Sequence, residues 1–96
     1  TALFIANDRM SIGFLHAMRE RGIDVPKRLS VIGFDDLEET AYTSPPLTTL
    51  RQDFRELGNR AMNLLLSEIA GTATKKLDRL IPELVLRAST TAPPKL

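Results

Sequence analysis

Two short apolar runs joined by a stretch of helical periodicity constrain this chain more than anything else in it. Ala2-Leu3-Phe4-Ile5-Ala6 and Leu29-Ser30-Val31-Ile32-Gly33-Phe34 lack the polar alternation of a strand with one wet face. Such runs suit strands covered on both faces, as in a parallel sheet. From Arg9 to Arg21, Met10, Phe14, Ala17 and Met18 recur at three- and four-residue steps, which predicts a helix with those side chains on its apolar face. Asn7 or Asp8 can cap it, and Asp8 reads as a cap rather than a ligand contact. Gly22 ends the helix and Pro26 prevents its resumption. Residues 2–34 therefore read as one βαβ unit with parallel strands and a right-handed crossover.

The remaining chain continues an α/β pattern. Leu37 to Pro46 reads as a loop with a short helical turn near Glu38–Tyr42, and Leu47 to Arg51 as extended. Asp53 with Glu56 has capping-box spacing, the Asp accepting from first-turn amides and the Glu reaching back. A helix then runs to about Ala70, with Phe54, Leu57, Ala61, Leu65 and Ile69 on its apolar face and Gly71 ending it. Leu77 to Ile81 and Glu83 to Ser89 read as extended segments broken at Pro82. The tail from Thr90 is expected to fray. There is no internal repeat.

With 96 residues this is at most one small domain. It opens inside a strand pattern with no initiator Met, so the expectation is a piece of a longer protein. Lys plus Arg is 13 against 12 Asp plus Glu, a net charge of +1. That balance gives this segment no electrostatic reason to grip DNA or an acidic membrane. Cysteine is absent, which excludes disulfides and thiolate metal or nucleophile sites and fits a reducing compartment. No apolar run approaches the roughly 20 residues of a membrane span.

Chemistry is expected at the carboxyl ends of the parallel strands, where α/β sheets bind ligands. Asn7-Asp8 follows the first strand and Asp35-Asp36 the second, so one crossover puts both pairs at one edge. An amide offers donors and an acceptor, a carboxylate acceptors only. Together they suit a sugar, or a base with ring N–H groups. Asp36 reads equally as the start of a turn. A rival reading is Mg²⁺ bound by the carboxylates for phosphoryl transfer, but no lysine for the phosphate stands near a strand end. Ile12 points off the apolar stripe, toward His16 and Arg19. It is either an isolated exposed residue or, with Tyr42 and loop 38–44, part of a subunit interface. His16 is the only histidine and has no second ligand at metal spacing. With no Ser–His–Asp set, phosphate loop or zinc pattern, no enzyme and no cofactor is expected.

Taken in order, Ala6-Asn7-Asp8, the helix ending Arg21-Gly22-Ile23-Asp24-Val25-Pro26, the run Leu29 to Asp36, Pro45-Pro46-Leu47-Thr48-Thr49-Leu50-Arg51-Gln52, Leu57-Gly58 and Pro82 to Thr90 resemble the lactose-repressor (LacI/GalR) family of bacterial transcription regulators. The resemblance covers nearly the whole chain. It implies a parallel-sheet, Rossmann-like, periplasmic-binding-protein-like fold, with this chain the C-terminal third of a two-subdomain effector-binding core. It also implies that residues 1–51 belong to the C-terminal subdomain, 52–81 cross to the N-terminal subdomain, and 82–96 return.

The implied effector contacts are Asn7 and Asp35, with Arg9, Phe34, Leu37 and Phe54 lining the pocket. Arg9 and Leu37 depart from the polar side chains of the lactose-responsive member, which implies a different effector. Ile12, His16, Tyr42, Thr43 and Ser44 fall on the implied subunit interface of a homodimer or tetramer. The family's operator DNA is gripped by a helix-turn-helix that this chain does not contain, in the cytoplasm and without a membrane partner. The alternative is a periplasmic sugar-binding protein of a transport system. The Pro45–Gln52 run and the Val85–Ser89 ending favour the regulator.

Overall fold

The structure, a computed structural model, describes residues 1–72 and 79–95. The chain divides into two compact units, Thr1–Arg51 with Glu83–Leu96, and Gln52–Pro82.

The first unit is built on the βαβ pattern. Strand β1 (Ala2–Phe4) leads into helix α1 (Asp8–Glu20), and β2 (Ser30–Ile32) returns parallel to β1 with Leu3 opposite Val31. A 3₁₀ turn at Glu38–Ala41 follows, where the sequence places a short helical turn. Strand β3 (Thr49–Arg51) extends the sheet on the other side of β2. Gly33 N–H donates to Thr48 O (2.9 Å), Asp35 N–H donates to Leu50 O (2.8 Å), and the bridges Ile32–Thr48 and Asp35–Arg51 are parallel. Strand β4 (Glu83–Val85) pairs antiparallel with β3, Arg51 opposite Glu83.

The core comprises Ile5, Leu15, Val31 and Leu47, with Phe14, Val25 and Leu29 packed against it. Two expectations are corrected here. On α1 the buried residues are Asp8, Ser11 and Leu15, while Met10 is 59% exposed. The buried face is rotated from the apolar stripe because two polar side chains on it are satisfied internally. Strand β1 is not covered on both faces: Ala2, Leu3 and Phe4 are all exposed, and burial begins at Ile5. Helix α1 ends in a Schellman arrangement. Gly22 at φ 65° lets its N–H reach Arg19 O (3.1 Å) and the Ile23 N–H reach Met18 O (2.9 Å).

The segment after β4 is tied down rather than frayed at Thr90. Ser89 is fully buried; its hydroxyl donates to Val31 O (2.6 Å) and accepts from Thr48 N–H (2.7 Å). Thr91 N–H donates to Ser30 Oγ (3.1 Å), and the hydroxyls of Thr48 and Thr90 lie 2.9 Å apart. Small hydroxyl side chains stitch this segment to the sheet without an apolar signal in the sequence.

The second unit holds helix α2 (Phe54–Ile69). Asp53 caps it, accepting from Glu56 N–H at 2.9 Å. The capping box has one arm only: the Glu56 carboxylate takes the Arg60 Nε–H (2.8 Å) instead of reaching back. No residue of α2 is buried, and its apolar face, including Phe54, Leu57 and Ile69, is exposed. The expected extended segment Leu77–Ile81 lies partly outside the described residues, and residues 79–82 form no strand.

Candidate functional site

The carboxyl ends of β1 and β2 sit side by side, joined by Asp8 N–H donating to Phe34 O at 2.9 Å. Asn7, in extended backbone, is the helix cap: its Oδ1 accepts the Met10 N–H at 2.9 Å. Asn7 itself is half-buried.

Asp8 is therefore not the cap. It occupies the first turn of α1, fully buried, with Oδ2 accepting from Leu37 N–H (3.0 Å) and Oδ1 from Thr49 Oγ1 (2.8 Å). These two bonds, and the positive end of α1, satisfy the carboxylate. Gly33 makes room for it, because a Cβ there would run into the Asp8 carboxylate. Asp8 thus locks the α1 start, the Leu37 loop and β3 together behind the edge.

The next turn departs from ordinary backbone. Asp35 has φ 117° and Asp36 φ 59°. Non-glycine residues in such conformations cost on the order of 1–3 kcal/mol each, and they collect at ligand clamps. Asp35 is half-buried at the strand end. Asp36 does more than start a turn, because its carboxylate joins two arginines. Its Oδ2 takes the Arg51 Nε–H and its Oδ1 an Arg87 Nη2–H, both at 2.7 Å, and its side chain is only 10% exposed. Burial disfavours the Asp36 anion, but hydrogen bonds and charge from Arg51 and Arg87 outweigh it and hold the carboxyl below the usual carboxylate range. The bond to Asp36, helped by its charge, holds Arg51 above its ordinary value. Sequence reasoning missed both arginines. They stand 15 and 51 residues from Asp36, and no local pattern marks such a distance.

The other expected pocket residues are distributed as follows. Arg9 is exposed in the first turn of α1. Phe34 meets Phe4 edge-on, ring centroids 6.4 Å apart. Leu37 is half-buried and tethered by Asp8. Phe54 opens α2 in the second unit and is 55% exposed. Among the described residues no group of three His, Cys, Asp or Glu is arranged to hold a metal ion.

On the outer side of α1, Ile12, Leu15, His16, Arg19, Thr43 and Ser44 line a shallow depression of about 150 Å³. Four of the five expected interface residues thus meet; Tyr42 stands nearby in sequence and is 82% exposed. His16 Nε2 lies 3.5 Å from Glu20, both exposed. Among the described residues no helix is long and apolar enough to cross a membrane.

A model of the periplasmic binding protein-like domain matches residues 1–90. The chain belongs to that family. Within it, the relatives of this periplasmic binding protein-like chain are the LacI-type regulators that its motifs resemble. It is 45% identical over 95 residues to the HTH-type transcriptional regulator MalR of Streptomyces coelicolor, covering 98% of this chain and 28% of the relative. It is 43% identical over 93 residues to the lactose operon repressor of Escherichia coli, covering 97% and 26%. A solved lac repressor dimer, bound to operator and the anti-inducer ONPF, superposes with a TM-score of 0.86 at 42% identity, covering 96% of this chain and 32% of that one. The chain therefore spans less than a third of each of these three proteins. These relatives are transcription regulators, not enzymes.

Proposed function

We propose that this chain is part of the effector-binding and dimerisation core of a LacI-type transcription regulator. The 45% identity over 95 residues to a transcription regulator, with the periplasmic binding protein-like domain matched over residues 1–90, carries that reading. On it, the unit Thr1–Arg51 with Glu83–Leu96 belongs to the C-terminal subdomain, and Gln52–Pro82 to the N-terminal subdomain. The effector is a sugar or another small polar metabolite. It sits at the strand edge, where the Asn7 amide donates and the Asp35 carboxylate accepts, with Arg9, Phe34 and Leu37 around it. Ile12, His16, Tyr42, Thr43 and Ser44 face a second subunit. Operator DNA is contacted by a helix-turn-helix outside these residues, in the cytoplasm, and effector occupancy biases that contact through a coupling between two sites. The transport-receptor reading is less well supported, because the relatives are regulators.

The test uses the full-length protein and calorimetric titration with D-ribose, D-galactose, maltose and lactose. A hydrogen bond to a charged acceptor is worth roughly 1.5–3 kcal/mol, so Asp35→Ala weakens the sugar that binds by at least about tenfold. Unchanged affinity removes Asp35 from the site. No response to any sugar redirects the search to nucleobases.

A further inference from the structure

We propose that Arg51 and Arg87 are positioning residues of the effector site: by gripping the Asp36 carboxylate from two sides they hold the Asp35–Asp36 turn in left-handed backbone and so aim Asp35. The inference rests on the reading of Asp35 as an effector contact.

Two consecutive non-glycine residues at φ 117° and 59° do not stay there unaided. On the Asp35 side, the backbone is pinned by its N–H donating to Leu50 O (2.8 Å). On the Asp36 side, the side chain carries the constraint. Each carboxylate oxygen takes one arginine at 2.7 Å. Arg87 is itself fixed. Its side chain is 18% exposed, and its Nη1 donates to Leu47 O (2.9 Å) and Thr40 Oγ1 (3.1 Å). A planar guanidinium anchored at three acceptors gives Asp36 Oδ1 a defined place rather than a diffuse attraction. Arg51 closes the other side from the last residue of β3, half-exposed, and also lies 3.9 Å from Glu83. Asp36 rotates only if both grips are released, and Asp35 is bonded to it through one peptide. A merely structural ion pair at this place would steady the unit without favouring any one neighbour. A positioning pair acts through Asp35.

A double-mutant cycle separates the two. In the full-length protein, Arg87→Gln, Arg51→Gln, Asp35→Ala and each arginine change combined with Asp35→Ala are titrated with the sugar from the panel above that binds. Each arginine change alone should weaken binding about tenfold, and should add nothing once Asp35 is already Ala. Full additivity of the arginine and Asp35→Ala effects overturns the proposal. Amide exchange is read in parallel and needs no ligand. Either arginine change should speed exchange at Asp35 and Leu37 by about tenfold or more, with Val31 in the core unchanged. Unchanged exchange at Asp35 and Leu37 in both variants also overturns it. If no sugar binds the wild type, the assignment of Asp35 to a sugar fails on that arm alone, and the exchange arm still decides whether the arginines hold the turn.

Discussion

Gly33 is the residue at which one added carbon does the most damage. A Cβ there would collide with the Asp8 carboxylate and stand 2.9 Å from both Leu47 Cδ2 and Ser11 Oγ. None of these is the far end of a loose surface chain, since all three residues are buried. Overpacking a core costs about 1–3 kcal/mol, and here it also pushes a buried anion off Leu37 N–H and Thr49 Oγ1. Gly33→Ala in the full-length protein is therefore expected to lose at least about 2 kcal/mol by urea denaturation. Gly13, with nothing within 4 Å of its would-be Cβ, is the control. Alanine there should be neutral or stabilising by up to about 1 kcal/mol. A Gly33→Ala protein as stable as wild type would mean that α1 slides to accommodate the methyl. The polar pairs at the strand ends were legible as the place for chemistry, but not their division of labour. Asn and Asp cap helices about equally well, so nothing in the pair itself says that Asn7 caps and Asp8 is buried. The role of Asp36 was illegible for another reason, that its partners come from β3 and from beyond β4.

Helix α1 has two faces, and the sequence distinguishes them only in part. Its ends are legible, since Asn7 and Gly22 are strong cap residues. Its buried face is not, because Asp8 and Ser11 lie on it and lower its apolar signal. The outer face is the one with Ile12 and His16, against Thr43 and Ser44. A half-buried isoleucine beside an exposed histidine, in a shallow hollow, suits a contact that a second subunit completes. Arginine at position 12 has room to reach solvent from this side of the helix, so the fold should survive it. The buried interface should not, because the guanidinium would lose water without gaining a partner. Ile12→Arg in the full-length protein is expected to keep its circular dichroism spectrum while its mass by light scattering shifts toward monomer. Retention of the wild-type mass would take Ile12 out of the interface. Loss of helical signal would place it in the core.

At the scale of the whole chain, burial is unevenly shared. The first unit encloses Ile5, Leu15, Val31 and Leu47, along with buried threonines and serines whose hydroxyls bond mostly to backbone carbonyls. In α2 nothing is buried: Phe54, Leu57, Met62, Leu65 and Ile69 are exposed between 42% and 75%. Such a helix is amphipathic in sequence, yet its apolar side chains stay exposed among the described residues. Burying side chains of this kind is worth about 1.5–3 kcal/mol each, whereas whole domains are stable by only about 5–15 kcal/mol. Isolated helices of this length are marginal in water, so α2 draws little stability from its own hydrogen bonds. These 96 residues produced alone should therefore not behave as a folded monomer. Sedimentation velocity should show dimers or larger species at micromolar concentration, and α2 amides should exchange far faster than that of Val31. Fusing the chain to the remainder of a regulator core should protect α2 and restore a single defined species. A dispersed, monomeric NMR spectrum of the isolated chain, with α2 amides protected, would contradict this and mean that α2 finds its partner among these residues after all.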